Sequence, residues 1–155
     1  MNRFRKEDFF FMGEAIREAI KAYEEGEVPV GAVAVLNGQV IGRGHNRTEA
    51  LKDPTAHAEI IAISSAANSL SNWRLKDVTL YCTLEPCPMC AGAIILSRIK
   101  RLVFGLRDEK FGACGSVVDL MSERLFNHKV EIKEGIEKEK IREMMQNFFK
   151  KKREK

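Results

Sequence analysis

No run of this 155-residue chain approaches the roughly 18–20 consecutive apolar residues that cross a bilayer. A membrane-spanning helix is therefore not expected. The apolar stretch behind the basic start, Phe9 to Met12, is also too short for a signal peptide. These two absences predict a protein of the cytoplasm, where reducing conditions disfavour disulfides. Cysteine is scarce, with four residues in all, and those four call for another use. Cys87 and Cys90 stand at metal-ligand spacing, whereas Cys82 and Cys114 read as packing residues. There is no repeat, no low-complexity tract and no Pro/Gly/Ser-rich linker, which predicts one domain over residues 1–155. A chain of this length can bury a core without cross-links.

What is present begins with charge. The net charge is +4, and it is unevenly placed. Lys138 to Lys155 carries eight basic and three acidic residues, so that end alone is +5 and the remainder about −1. Such an end can attract a polyanion, or it can be the solvated face of a helix.

Apolar periodicity supplies the elements. Phe9, Met12, Ile16, Ala19, Ile20 and Tyr23 recur at helical spacing and predict a first helix ending near Gly26. Ala32–Leu36 reads as a buried strand, Asn37-Gly38 as a two-residue hairpin turn, and Val40-Ile41 as its partner. His45 to Lys52 reads as loop, and Asp53-Pro54 as the cap and first turn of a helix running to about Ser69. A strand at Val78–Thr83 leads into Pro86-Cys87-Pro88, an apolar helix through Leu96 and a strand at Arg101–Gly105. Beyond the loop Arg107–Ser116, a short helix and a strand near Val130 and Ile132 precede a last helix, about 137–153, with Ile141, Met144, Met145 and Phe148 on one face. Alternating strands and helices predict a three-layer α/β/α fold on a mixed sheet.

Two short segments carry the chemistry: His57-Ala58-Glu59 and Pro86-Cys87-Pro88-Met89-Cys90. At a helix start, cysteines three apart present both sulfurs to one side, and the helix N-terminus favours thiolates. Two thiolates and a neutral imidazole suit Zn2+ and leave its fourth tetrahedral position open for a water, a catalytic arrangement. Completion of a closed structural site by Cys82, Cys114, His45 or His128 is the alternative. Glu59 can reach that water only if His57 stands near the helix start, and from there it can move protons. A solvated helix glutamate is the bland reading.

His-x-Glu followed by Pro-Cys-x-x-Cys resembles the signature of the cytidine/deoxycytidylate deaminase superfamily. Further segments look like the bacterial tRNA-specific adenosine deaminases: Glu27–Ala32, Gly44–Asn46, Asp53–Glu59, Thr83–Cys87, Arg107-Asp108, Gly112–Ser116, Phe126–His128, and Phe148-Phe149 with the basic residues after it. The resemblance covers nearly the whole chain, with departures at Phe111 and Cys114. It implies a five-stranded cytidine-deaminase-like sheet and one zinc per subunit on His57, Cys87 and Cys90. It further implies hydrolysis of adenosine to inosine at the wobble position of a tRNA anticodon, with Glu59 carrying protons to N1 and to the departing amine. By the same resemblance Asn46 would hydrogen-bond the flipped base, and Asp108 and Asn127 would contact ribose and neighbouring nucleotides. Phe149 and the basic tail would meet the anticodon stem-loop, and the protein would be a homodimer.

Two other functions compete. A free-base or nucleoside deaminase acting on guanine or cytosine would share His57, Glu59, Cys87 and Cys90. A non-catalytic RNA-binding module with a stabilising zinc would have no use for Glu59.

Overall fold

The computed structural model describes residues 4–122 and 125–154. Helix α1 (Lys6–Glu24) is followed by strands β1 (Gly31–Leu36) and β2 (Gln39–His45), then by a single helical turn, α2 (Thr48–Leu51). Helix α3 (Ala58–Leu70), strand β3 (Thr79–Leu84), helix α4 (Pro88–Leu96) and strand β4 (Arg101–Leu106) come next. Strand β5 (Glu131–Glu134) and helix α5 (Lys138–Arg153) complete the order. The five strands form one sheet, β2-β1-β3-β4-β5. β1 runs antiparallel to β2 and β3, while β3, β4 and β5 are mutually parallel, so the sheet is mixed as expected.

Alternation along the strands divides the core in two. Ala32, Ala34, Leu80, Cys82, Leu102 and Phe104 face α3 and α4, packing on Ala58, Ala62, Ala66 and Ile94. Val33, Val35, Tyr81 and Val103 face α1 and α5, packing on Phe11, Met12, Ile16 and Ile141. This is the three-layer arrangement, and it leaves the parallel strand ends β3 and β4 to deliver their loops to one edge, where ligands gather in open α/β sheets.

The Asn37-Gly38 turn has positive φ at both residues, the geometry a two-residue hairpin prefers. Gly42 and Gly44 of β2 matter for position. A Cβ on Gly42 would meet the Ala62 carbonyl oxygen at 2.4 Å, and one on Gly44 the Ala58 carbonyl oxygen at 2.4 Å. These glycines, opposite the small stripe Ala58, Ala62 and Ala66, let the start of α3 lie down on the sheet.

Three elements differ from the sequence expectation. Asp53 does not cap a helix: its carboxylate accepts from the Thr55 N–H (2.8 Å) and Thr55 Oγ1 (2.7 Å), closing a local turn. Helix α3 therefore starts at Ala58. The stretch read as loop contains α2, whose amides Glu49 N and Ala50 N donate to the buried Glu27 carboxylate. No helix lies between Arg107 and Val130 among the described residues, where turns and one isolated bridge, Cys114 to Asp119, take its place.

Candidate metal centre and active site

Two helix starts converge at the C-terminal edge of β3. His57 is the residue immediately before α3, and Cys87 immediately before α4. Pro88 occupies the first turn of α4, where its missing N–H costs nothing, and Cys90 lies one turn further at a buried position. His57 Nδ1 lies 3.5 Å from Cys87 Sγ and 3.5 Å from Cys90 Sγ. All three ligand atoms fall within 4.8 Å of one another.

The fit to zinc can be tested on those distances. Bonds of about 2.3 Å to sulfur and about 2.0 Å to nitrogen, at tetrahedral angles, separate S from N by about 3.5 Å. The side chains already stand at that separation. Cys87 is held at a pKa of about 4, first by the hydrogen bond from Cys90 and then by His57. The Cys90 thiol is pushed up by the same Cys87 contact and by burial. One thiolate is thus favoured at the N-terminal end of a helix, the donor chemistry that a soft divalent cation needs.

None of the four candidates for a closed shell joins this cluster. Cys82 and Cys114 are buried in the core beside Leu80 and Phe104. His45 is held between Glu18 (3.3 Å) and Glu25 (3.1 Å), and His128 Nε2 lies 2.6 Å from the Ile99 carbonyl oxygen. Among the described residues, His57, Cys87 and Cys90 alone form a cluster of metal-ligating side chains.

Glu59 lies in the first turn of α3 and is buried. Burial raises its pKa to about 7, against the opposing pull of its own backbone N–H, the His57 charge and a hydrogen bond from Cys90. It is not the solvated helix glutamate of the bland reading. His57, Glu59 and Cys87 line a cleft of about 620 Å³ together with Asn46, Asp108 and Phe111. That volume falls within the roughly 300–1,000 Å³ of small-ligand sites.

Asn46 stands at the end of β2, and its side-chain oxygen accepts from the Ala58 N–H at 2.9 Å. It thereby supports the start of α3 and has its amide NH2 left to offer a ligand. Asp108 Oδ1 accepts from the N–H groups of Lys110 (3.0 Å) and Phe111 (3.2 Å), so it shapes its own turn as well as lining the cleft. Phe149 is outside the cleft. It lines an adjoining groove of about 1020 Å³ with Lys110, Lys138, Arg142 and Gln146, and the groove shares Asp108 and Phe111 with the cleft. Asn127 is exposed on a bend and lines neither.

Of the aromatic pair in α5, Phe148 is core, packed edge-on against Tyr23, and Phe149 faces the groove. The basic tail divides too. Arg153 borders a pocket shared with Phe149 and Lys110, whereas Lys151 and Lys152 lie over the rings of Tyr23 and Phe148.

Sequence reasoning missed Glu27 and Glu85, each a carboxylate that is buried beside this cleft. Glu85 carries a signal, since it interrupts an apolar stretch between Leu84 and Pro86, whereas Glu27 follows Glu24, Glu25 and Gly26 and has none.

The MafB19-like deaminase family matches residues 6–153. A tRNA-specific adenosine deaminase of Bacillus subtilis (strain 168) is 48% identical over 149 residues, covering 96% of this chain and 92% of that protein. The chain belongs to the tRNA-specific adenosine deaminase family. A second member of the family, from Aquifex aeolicus (strain VF5), is 46% identical over 142 residues, 92% of this chain and 93% of its own. A solved structure from studies of A-to-I editing by tRNA:A34 deaminases at the wobble position superposes on this deaminase with a TM-score of 0.84. It is 46% identical and covers 87% of this chain and 98% of that one. The guanine deaminase of Bacillus subtilis is similar over less, at 38% identity, 67% and 66% coverage and a TM-score of 0.62.

Proposed function

We propose that this protein is a cytoplasmic, zinc-dependent homodimer that converts adenosine to inosine at the wobble position of a tRNA anticodon. The observation that carries the chemistry is the buried Glu59 beside a three-ligand cluster at a nucleotide-sized cleft. Similarity to tRNA-acting relatives along nearly the whole chain supports the substrate.

His57, Cys87 and Cys90 would hold the ion. When bound, zinc lowers the pKa of a water toward neutrality and so supplies the nucleophile. Hydrolysis replaces the C6 amino group of adenine with oxygen and releases ammonia. Glu59 takes a proton from the attacking water, delivers it to N1, and carries the next proton to the departing amine. Asn46 donates its free amide NH2 to the extruded base, and Asp108 meets the ribose side. The loop nucleotides on either side follow the groove past Lys110 and Arg142 to Phe149, a stacking face among cations. Asn127 would contact a neighbouring nucleotide from outside the cleft.

Replacing Lys110, Arg142 and Arg153 by Ala should weaken stem-loop binding. It should also reduce the slope of log K against log salt by about 2, as expected for three lost contacts to single-stranded phosphates. Filter binding at several salt concentrations reads this directly, and an unchanged slope would remove those side chains from the interface.

The dimer is supported by α4, Pro-Met-Cys-Ala-Gly-Ala-Ile-Ile-Leu, which has no charged side chain on any face. Cys90, Ala91, Ile94 and Ile95 face the core, yet Met89 and Leu96, seven residues apart on the outer side, are exposed with Gly92 and Ala93 between them. A helix apolar all round belongs in an interior, and a second copy of the chain supplies one. Leu96→Arg should give a monomer by light scattering, while a wild-type protein that is monomeric at micromolar concentration would contradict this.

The substrate is decided by offering the protein an adenosine-34 anticodon stem-loop, free adenosine, guanine and cytosine side by side. Mass analysis should find inosine in the stem-loop and little turnover of the small molecules. Turnover of guanine or cytosine with the RNA untouched would overturn the tRNA reading.

A further inference from the structure

Glu85 is a buried carboxylate between the last residue of β3 and the Pro86-Cys87 turn. Its partners lie more than twenty residues away, in one loop. Glu85 Oε1 accepts from the Asp108 N–H (3.1 Å) and from Ser116 Oγ. Oε2 accepts from the N–H groups of Cys114 (2.9 Å) and Ser116 (3.1 Å). Two backbone bonds reinforce the junction, Glu85 N to Leu106 O (2.8 Å) and Ala113 N to Pro86 O (2.9 Å). Gly112 is pressed against the same carboxylate: a Cβ there would lie 2.4 Å from Glu85 Cδ and 2.4 Å from the Asp108 carbonyl oxygen.

Residues 107–116 belong to neither sheet nor helix. Backbone amides that lack a sheet partner must be satisfied otherwise, and here one carboxylate collects three of them. The loop carries Asp108 and the exposed Phe111, which line the cleft together with Asn46 and also line the groove that holds Phe149. Glu85 is joined directly to the metal-ligand turn at its other end. Metal-ligand turn and substrate wall therefore share a single rigid post.

We propose that Glu85 is a positioning residue, which registers the Asp108–Phe111 wall against the metal-ligand turn and so sets how tightly the RNA is gripped. This rests on the RNA deaminase reading above. A wall that grips substrate and transition state alike shows itself in KM, whereas damage to Glu59 or the ligands shows itself in kcat.

Glu85→Gln keeps the shape of the side chain but replaces one acceptor oxygen by a donor, so about half of the four bonds are lost. In the zinc-loaded protein we expect kcat/KM on the stem-loop to fall about tenfold, most of it through KM, with zinc content unchanged. Gly112→Ala presses on the same carboxylate from the other side and should give the same split, and the double variant should be little worse than the more severe single one. Amide exchange at Asp108, Cys114 and Ser116 should quicken at least tenfold in Glu85→Gln, with the amides of α3 and α4 unaffected. A loss confined to kcat, a loss of zinc, or unchanged exchange at these three amides would overturn the assignment. The exchange readout needs no substrate. A wild-type protein inert on the stem-loop would sink the substrate reading, and exchange would still decide whether Glu85 holds the loop.

Discussion

Glu59→Gln should keep its zinc and lose deamination by about a thousandfold or more, the upper part of the range for removal of a general acid–base. Glutamine preserves the volume at a buried position, so the start of α3 and the His57 ligand need not move. What it removes is a group that can accept a proton from water and give it up again to N1 and to the amine. Burial has already raised the Glu59 pKa to about 7, which makes it a far better base than a solvated carboxylate. Metal analysis and steady-state inosine formation on one preparation separate the two outcomes. Activity within tenfold of wild type, with zinc intact, would remove Glu59 from the reaction.

Asp8→Ala should cost the fold about 3–5 kcal/mol, because it strands a buried guanidinium. Asp8 on α1 receives two parallel hydrogen bonds from Arg101 of β4, Nη1 to Oδ1 and Nη2 to Oδ2, each 2.8 Å. Tyr81 of β3 adds its hydroxyl at 2.7 Å, and the Arg5 N–H adds another at 2.8 Å. This knot ties α1 across two central strands, on the sheet face away from the cleft. For a domain of this size the melting temperature should fall by roughly 10 °C or more. Asp8→Asn with Arg101→Met removes both charges and should recover part of that loss.

The same knot gives acid sensitivity. Burial alone would raise the Asp8 pKa, but hydrogen bonds from Arg101, Tyr81 and Arg5, with the Arg101 charge, outweigh it and hold the value at about 2. A depressed carboxylate pKa stabilises the fold above the unfolded value of 3.8. That stabilisation, about 2 kcal/mol, disappears as pH falls from near 4 toward 2. Urea unfolding between pH 5 and 2 should lose this increment in the wild type and lack it in the double variant. Equal acid slopes in the two proteins would remove Asp8 from that role.

The convergence of His57, Cys87 and Cys90, with Glu59 lining the same cleft, is legible because these residues stand at short spacing. Cys87-x-x-Cys90 and His57-x-Glu59 each fit within one helical turn, and a helix start is the place where both spacings work. The start of α3 was misplaced because Asp53-Pro54 satisfies every local rule for a helix cap, yet Asp53 finds a nearer partner in Thr55. The helix is instead positioned from afar, by Asn46 on its first amide and by Gly42 and Gly44 beneath it. Such contacts have no signature within a sequence window. Glu27 and Asp8 stay hidden for the same reason: a charged residue reads as surface until its distant donors are known, whereas Glu85 is marked by its apolar neighbours Leu84 and Pro86. Phe148 and Phe149 show the opposite case, where the helical period alone separates the core ring from the one facing the groove.

One zinc ion per chain, held by His57, Cys87 and Cys90, would be needed for this protein to convert a tRNA anticodon adenosine to inosine. The most direct test is a titration of metal-stripped protein with zinc, following inosine formation in an adenosine-34 stem-loop. Activity should start near zero, rise in proportion to added zinc and level off at one ion per chain. Full conversion by the stripped protein, or no conversion at one bound zinc per chain, would contradict it.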